Sequence, residues 1–410
     1  MKILAISTWF PYPPDNGSKA RAYNLLRHIG AHHSLDMIAM CQSKEDLSHM
    51  DEVQAFCRRV AVFPEPQFVP QRVSTWSGFF SPTPRYFREH HSAQLEAATN
   101  QWSREEEYDA AVAVTLGSAP YAAKASASFK VLDQHNVEYQ VIRRQCRAER
   151  SILKRARYTP TWMKAAKFER SLASEFDAIA VVSASEQALM EDLLSNGSTS
   201  RLTHHSSLIT VIPNGVDPAL LDYHAPKKQG TLIFTGALSY RPNYDAVLAL
   251  CNHILPIVGR QFPEVRLRVT GRNDGVDMKQ FPVDPQVEFT GYVEDIRPVV
   301  ASASALVAPL KFGGGTRLKI LEAMALGTPV VSTPMGAEGI EAENGVHLLL
   351  GESADDLAAQ TAKVLSDPEF GEWIAKNARE LVRERYQWPA IAEDFERMIS
   401  LGLEKKRNEH

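Results

Sequence analysis

The chain has little cysteine: four residues in 410, at Cys41, Cys57, Cys146 and Cys251, with no C-x-x-C spacing. That usage fits neither a disulfide framework nor a cysteine zinc site, and a cytoplasmic location is expected. No run approaches the ~20 apolar residues of a membrane span, and MKILAIS is short for a secretory leader, so any membrane contact is expected to be peripheral. Positive charge is not in excess. With 45 Lys and Arg against 49 Asp and Glu the formal charge is −4, which argues against general nucleic-acid binding. Complete chemical fingerprints are missing as well: no G-x-G-x-x-G follows a strand, and no Walker A, G-x-S-x-G or H-E-x-x-H sequence occurs. The adjacent pairs His32–His33, His90–His91 and His204–His205 sit in polar settings that need no metal, and no Asp-x-Asp follows an apolar strand. Neither a metal site nor a cofactor is expected.

What is present is a long alternation of short apolar strands with helical stretches. The length suits two or three domains, and 44% hydrophobic with 23% charged residues is ordinary for a packed globular chain. Strands are expected at 2–7, 35–40, 60–63, 110–114, 130–132 and 178–182, which is the pattern of an open parallel sheet covered on both faces. A Pro-Asn-Gly turn in ITVIPNGVD and a stretch rich in Pro, Lys and Gly then read as a linker. A second series follows at 232–235, 266–270, 287–290, 305–310, 329–332 and 347–350.

The segment ALVAPLKFGGGTRLKILEAMALGTPVVS (305–332) reads as strand, glycine loop, helix and strand. Gly313, Gly314 and Gly315 let the backbone approach a ligand closely, and the amides opening the next helix favour an anion, phosphate above all. Thr316 is expected to cap that helix, Gly327 and Pro329 to stop it, and Leu318, Leu321 and Ala325 to be buried. Lys319 and Glu322 lie about 4.5 Å apart along the helix axis. That spacing suits a clamp on a diphosphate and the adjoining ribose, and equally an exposed ion pair. In the first series, Gly17 lies where a proline-rich loop meets a helix carrying Ala22, Leu25, Leu26 and Ile29 at helical spacing; it is either a backbone approach point or a turn glycine. Asp133, His135, Asn136 and Glu138 fall at the carboxyl end of the fifth strand, where doubly wound sheets place ligand groups. Taken alone, a single histidine there is more often structural than catalytic.

With Glu322 in LEAMALGTPVV, the segment resembles the donor-binding stretch of retaining glycosyltransferases of family 4, which have the GT-B fold. PYPPDNGSKARAYNLLRHI, GGTRLK and ILEAMA resemble the exopolysaccharide-type sugar transferases of that family, including those linked to PEP-CTERM/exosortase clusters, and VIPNGVD resembles the family's domain junction. In most of the family two glutamates lie eight positions apart. Glu322 matches the second, which implies hydrogen bonds to a nucleotide ribose; the first position holds Gly314, so no sugar identity carries over. The resemblance implies two facing Rossmann-like domains: 1–217 for the acceptor, 218–385 for a UDP- or GDP-linked sugar, and a helix within 386–410 crossing back to the first. It implies that His135 touches the transferred sugar and that the loop at Gly17 reaches over the donor phosphates. An arginine and a lysine usual after the glycine of FTGALSYRPNYDAV are replaced by Ala237 and uncharged neighbours. Arg241, Arg317 and Lys319 are therefore the cations left for a departing diphosphate, Lys319 first among them.

The implied activity is retaining, metal-independent transfer of a hexose-type sugar to a saccharide, with a lipid-linked one favoured. Two rivals share the fold: a sugar-nucleotide epimerase, and a non-catalytic nucleotide-sugar-binding subunit suggested by Gly314. Residues 143–170 hold ten Lys and Arg against Glu149 and Glu169, interleaved with Ile152, Leu153, Tyr158, Trp162, Met163 and Phe168. That composition suits an anionic membrane surface or a solvated helix face packed on a core. A second aromatic and arginine-bearing stretch, 68–88, reads as an insertion.

Overall fold

β-Branched and small apolar runs form strands where helices cover both faces of a sheet, because only then is every side chain on the strand buried. In the computed structural model, which describes residues 1–66, 81, 83–149, 151–195 and 209–408, each expected run overlaps a strand, with ends that differ by up to four residues. Most of the insertion at 68–88 lies outside the described residues. The chain divides into two units, Met1–Pro213 with Pro389–His410, and Asn214–Trp388.

The first unit is built on β1 (Lys2–Ser7), β2 (Ser34–Cys41), β3 (Arg59–Pro64), β4 (Tyr108–Val114), β5 (Ala127–Gln134), β6 (Ala178–Val181) and β7 (Ile209–Val211). They form one sheet in the order β3-β2-β1-β4-β5-β6-β7, every pair parallel. The second unit contains β8 (Lys228–Thr235), β9 (Arg266–Thr270), β10 (Val287–Gly291), β11 (Ala303–Ala308), β12 (Val330–Ser332) and β13 (Leu349–Leu350). These lie in the order β10-β9-β8-β11-β12-β13, again parallel. Strand order therefore reverses once in each sheet, between β1 and β4 and between β8 and β11. At such a reversal the loops leaving the two strands run to opposite faces and open a crevice beyond the carboxyl ends.

The stretch after β7 is not the loose linker its Pro, Lys and Gly content predicts. Val216 and Leu221 are buried in the second unit's core, and Val216 exchanges backbone hydrogen bonds with Tyr386 and Trp388 at 2.8 and 3.1 Å. Apolar side chains on the Asp217–Leu221 turn decide this, against the local composition.

The final helix, Trp388–Asn408, packs within the first unit through Ile391, Phe395, Ile399 and Leu403, all buried. Lys406 and Arg407 pair with Asp177 and Asp109 at 2.6 and 2.7 Å, and Gly402 lies against the Phe129 ring. Deeper in the same unit, Arg21 of the helix Gly17–His32 has no exposed surface. Its guanidinium donates to Asp133 at 2.6 and 2.9 Å and to the carbonyls of Ile212 and Pro213 at 2.8 and 3.0 Å. One side chain thus ties the first helix to β5 and to the segment leaving β7.

A buried pair of this kind is vulnerable to loss of one partner, because the other charge is left without compensation. Burial opposes the charge on Asp133, but Arg21 and His135 outweigh it and hold the carboxyl far below its usual range. Its contribution is thus complete above the unfolded value, about 3.9, and declines as pH falls from there toward the folded value. Asp133→Ala is expected to lower the stability of the first unit by about 3–5 kcal/mol near neutral pH. Denaturant melts should show the gap to the unsubstituted protein narrowing only below about pH 4.

Candidate functional site

In the second unit the crevice edge is formed by the turn after β8 and the loop after β11. Gly236 follows β8 with φ 135°, and Gly313 has φ 137°, both in the region that side chains avoid. A Cβ at Gly236 would come within 2.7 Å of Lys319 Nζ, so the lysine head fills the space that the missing side chain leaves. The helix bearing it is Leu318–Ala325, which begins one residue later than a cap at Thr316 would place it. Thr316 does not cap it. Arg317 stands at the N-cap position in extended conformation, with no side-chain cap bond, and its guanidinium folds back onto the carbonyls of Gly314 and Gly315. Satisfying those loop carbonyls competes with an earlier helix start. The buried stripe is also wider than Leu321 and Ala325, taking in Ile320, Ala323 and Met324, whereas Leu318 is only partly covered.

Lys319 and Glu322 do not form the surface ion pair their spacing allows. Lys319 Nζ donates instead to Asn243 Oδ1 at 2.7 Å and lies 4.0 Å above the centre of the Phe234 ring. Asn243 is itself oriented by a 2.9 Å bond from Nδ2 to the Ala237 carbonyl. Burial, with Arg317 adding to it and Glu322 opposing, pushes the lysine down to about 7. Glu322 follows about one turn later, pushed up by burial and drawn back by Lys319, and its carboxylate has no hydrogen-bond partner among the described residues. A cation at its carboxyl-end crevice and a carboxyl group beyond it are the complements of a diphosphate and a vicinal diol. Arg241 does not join them: its side chain is 67% exposed, paired with Asp245 at 2.9 Å and set over the Tyr244 ring. Asn243 went unforeseen, since a lone Asn in YRPNYDAV carries no chemical pattern.

In the first unit Gly17 opens its helix and is exposed, while Asn16 caps it by accepting from the Lys19 amide at 3.1 Å. His135 is 6% exposed, its Nε2 2.9 Å from Asp133 Oδ2 and its ring 6.0 Å from that of Trp9. An ionised carboxylate only accepts, so the network assigns the proton to Nε2 and leaves Nδ1 as an acceptor. Nδ1 has no partner among the described residues, and burial lowers the ring's pKa although Asp133 opposes it. Asp133 is fully engaged by Arg21 and His135, so it positions rather than projects. Asn136 offers its carbonyl to Gln134 Nε2 at 2.6 Å. The Glu138 amide and the Tyr139 amide donate to Glu169 at 3.0 and 2.9 Å, so Glu169 closes the start of the helix Glu138–Ala148. Burial pushes Glu138 up to about 7 and Glu169 to about 8. Ser183 caps the following helix by accepting from the Glu186 amide at 3.3 Å.

A cavity of about 310 Å³ lies at the β1–β4 reversal, lined by Thr8, Gly117, Tyr121, His91, Phe87 and Arg88 among others. Thr115, just past β4, has φ 78°, a strained conformation for a β-branched residue and one that clusters at ligand-binding turns. None of these residues carries a sequence motif. The stretch 143–170 falls on the helix Glu138–Ala148 and on Ile152–Ala173, with residue 150 outside the described residues. Trp162 packs on the core, with Arg143 over its ring, and Phe168 packs on Phe87. The two aromatics therefore face inward, and the exposed apolar residues are Ile152, Leu153 and Met163. Among the described residues no helix is long and apolar enough to cross a membrane.

Residues 229–367 match the family model described as glycosyl transferases group 1. Over 199 residues the chain is 31% identical to a phosphatidyl-myo-inositol mannosyltransferase of Mycolicibacterium smegmatis, an alignment covering 46% of this chain and 50% of that protein. It spans about half the length of the curated relatives it matches in this way. Among solved structures, Anabaena Alr3699/HepE in complex with UDP-glucose superposes with a TM-score of 0.67 at 17% identity, over 98% of this chain and all 100% of that one. Sucrose-phosphate synthase (tll1590) from Thermosynechococcus elongatus does so with 0.71 at 17% identity, covering 98% and 99%. The two parallel-sheet Rossmann-like units are those of the GT-B fold, and residues 229–367 of this chain are a glycosyl transferases group 1 domain.

Proposed function

We propose that the chain is a retaining glycosyltransferase of the family-4 type, moving a hexose-type sugar from a UDP- or GDP-linked donor to a saccharide acceptor without a metal ion. The observation that carries the reading is Lys319: a lysine head set at the carboxyl end of β8 by Asn243 and the open space at Gly236, with Glu322 one turn beyond. The UDP-glucose complex of the structurally similar Anabaena protein supports a UDP-linked donor in particular. In the proposed reaction the bond from the anomeric carbon to the diphosphate breaks, the acceptor hydroxyl oxygen bonds to that carbon from the same face, and its proton passes to the leaving diphosphate. Lys319 offsets the charge growing on the diphosphate, Glu322 accepts from the ribose diol, and the free Nδ1 of His135 accepts from a sugar hydroxyl. The cavity at the β1–β4 reversal is the acceptor pocket. A lipid-linked saccharide of an exopolysaccharide or other surface glycan is the acceptor class this reading favours, with the basic helices at 138–173 resting on the anionic cytoplasmic face of a membrane.

Glu322→Ala is expected to weaken nucleoside diphosphate binding by roughly 1–3 kcal/mol with the fold intact, the scale of a hydrogen bond to a charged group. Isothermal calorimetry with UDP and GDP measures it, and unchanged affinity for both would remove Glu322 from the site.

Lys319→Ala should lower turnover at saturating donor by more than it lowers donor affinity, since the charge to be stabilised is largest in the transition state. Because this lysine titrates near 7, donor affinity should fall by about tenfold per pH unit above that point, a slope that Lys319→Arg abolishes because arginine keeps its proton. Sugar transfer followed by product chromatography is the assay; donor turnover without acceptor would favour the epimerase instead.

For the membrane surface, Ile152 and Leu153 are 81% and 85% exposed beside basic residues. Attraction between such a surface and anionic lipid is screened over ~8 Å at physiological salt. The protein should co-sediment with anionic liposomes at low salt and be released at high salt, and Ile152→Asp with Leu153→Asp should stay in the supernatant. Wild-type protein that never pellets would make these helices an ordinary solvated face.

A further inference from the structure

The helix Gly17–His32 ends with two imidazoles one turn apart, His28 and His32, and His33 follows at the C-cap. From the C-terminal helix, Glu396 meets all three. His28 Nε2 and His32 Nδ1 lie 2.9 and 3.1 Å from the same oxygen, Oε2, while His33 Nε2 lies 3.0 Å from Oε1. The proposed transfer has no need of this group.

The arrangement exceeds what a structural hydrogen bond requires. One ligand atom from each of His28, His32 and Glu396 lies within 4.8 Å of the other two. In a tetrahedral site with bonds of about 2.0–2.1 Å to nitrogen and oxygen, neighbouring ligand atoms are about 3.3 Å apart. The present N···O distances of 2.9 and 3.1 Å therefore need to open by only a few tenths of an ångström. His33 supplies the outer support that such sites use, holding the second carboxylate oxygen while its own Nδ1 lies 3.3 Å from the Met1 amine. The His32 side chain is 53% exposed, so an ion has a path of entry and room for a water as a further ligand. Two imidazole nitrogens with one carboxylate oxygen select zinc-class divalent ions over magnesium or calcium, which prefer all-oxygen shells.

We infer that His28, His32 and Glu396 form a binding site for a divalent cation of the zinc class, positioned by His33, that clamps the first helix to the C-terminal helix. On binding, the coordinating nitrogen of each ring carries no proton: a proton that pointed at Oε2 moves to the opposite ring nitrogen or, where that nitrogen already holds one, leaves to solvent, so that each ring coordinates as neutral imidazole. The ion bridges elements more than 360 residues apart in sequence. It thereby stabilises the first unit by mass action, as any ligand of the folded state does.

The full chain, stripped with chelator and dialysed, is titrated with zinc chloride, with cobalt chloride and with magnesium chloride. Zinc should bind at one equivalent by calorimetry and raise the melting temperature, cobalt should give the visible absorption of a low-symmetry nitrogen and oxygen shell, and magnesium should do neither. His28→Gln with His32→Gln should abolish the zinc shift. His33→Gln, which leaves all three ligands in place, should weaken zinc roughly 10–100-fold while keeping the cobalt spectrum. Absence of zinc binding by the wild-type chain overturns the assignment, as does equal binding by the double variant, which would put the ion on other histidines. Because the double variant alters partly exposed side chains, its own melting curve without metal reports whether it folds.

Discussion

Everything at the proposed donor site depends on the order of parallel strands. A parallel ladder sends all carboxyl ends to one edge, and right-handed crossovers then dictate where successive strands may lie. In the second unit the chain builds outward from β8 to β10, returns, and continues from β11 to β13. The two loops that leave β8 and β11 run to opposite faces of the sheet. Gly236 and the Gly313–Gly315 loop border the crevice there, and the Leu318–Ala325 helix carries Lys319 into it. The same reversal in the first unit produces the cavity beside Thr8 and Gly117. A residue's place beside a reversal decides more about its availability to a ligand than its chemistry alone.

Two enclosed cations, Arg21 with no exposed surface and Lys319 partly covered, illustrate the difference. Arg21 is saturated by a carboxylate and two carbonyls, a set of bonds that leaves it a structural tie. Lys319 has a neutral amide partner and an aromatic face, which orient it without cancelling its charge. Such a lysine holds its proton weakly until an anion arrives, and burial is the reason. The same contrast separates the carboxylates: Asp133 is locked between Arg21 and His135, whereas Glu322 has only the distant pull of Lys319. Burial without a paired counter-charge costs free energy that a packed core would not incur, and groups kept in that condition cluster at sites that bind.

By itself the sequence determined most of the elements. Twelve of the thirteen strands among the described residues are legible as mainly apolar runs, because parallel strands covered on both faces bury most of their side chains, and glycine at positive φ marks the loops by composition. The helix carrying Lys319 and Glu322 was legible for the same reason, apart from its first turn, where Arg317 takes the loop carbonyls and Thr316 is left outside. Partnership was decided only by the tertiary structure. Asn243, Arg21, the carboxylate cap by Glu169 and the contact of Glu396 with three histidines join residues from 30 to nearly 370 positions apart. Arg241 turned to its own helix and Trp162 to the core although local charge and aromaticity alone did not favour either outcome. Periodicity is a property of neighbours along the chain and survives in one dimension; hydrogen bonds, ion pairs and desolvation act through space over a few ångströms, and which distant side chains share those ångströms is settled by the order of the strands.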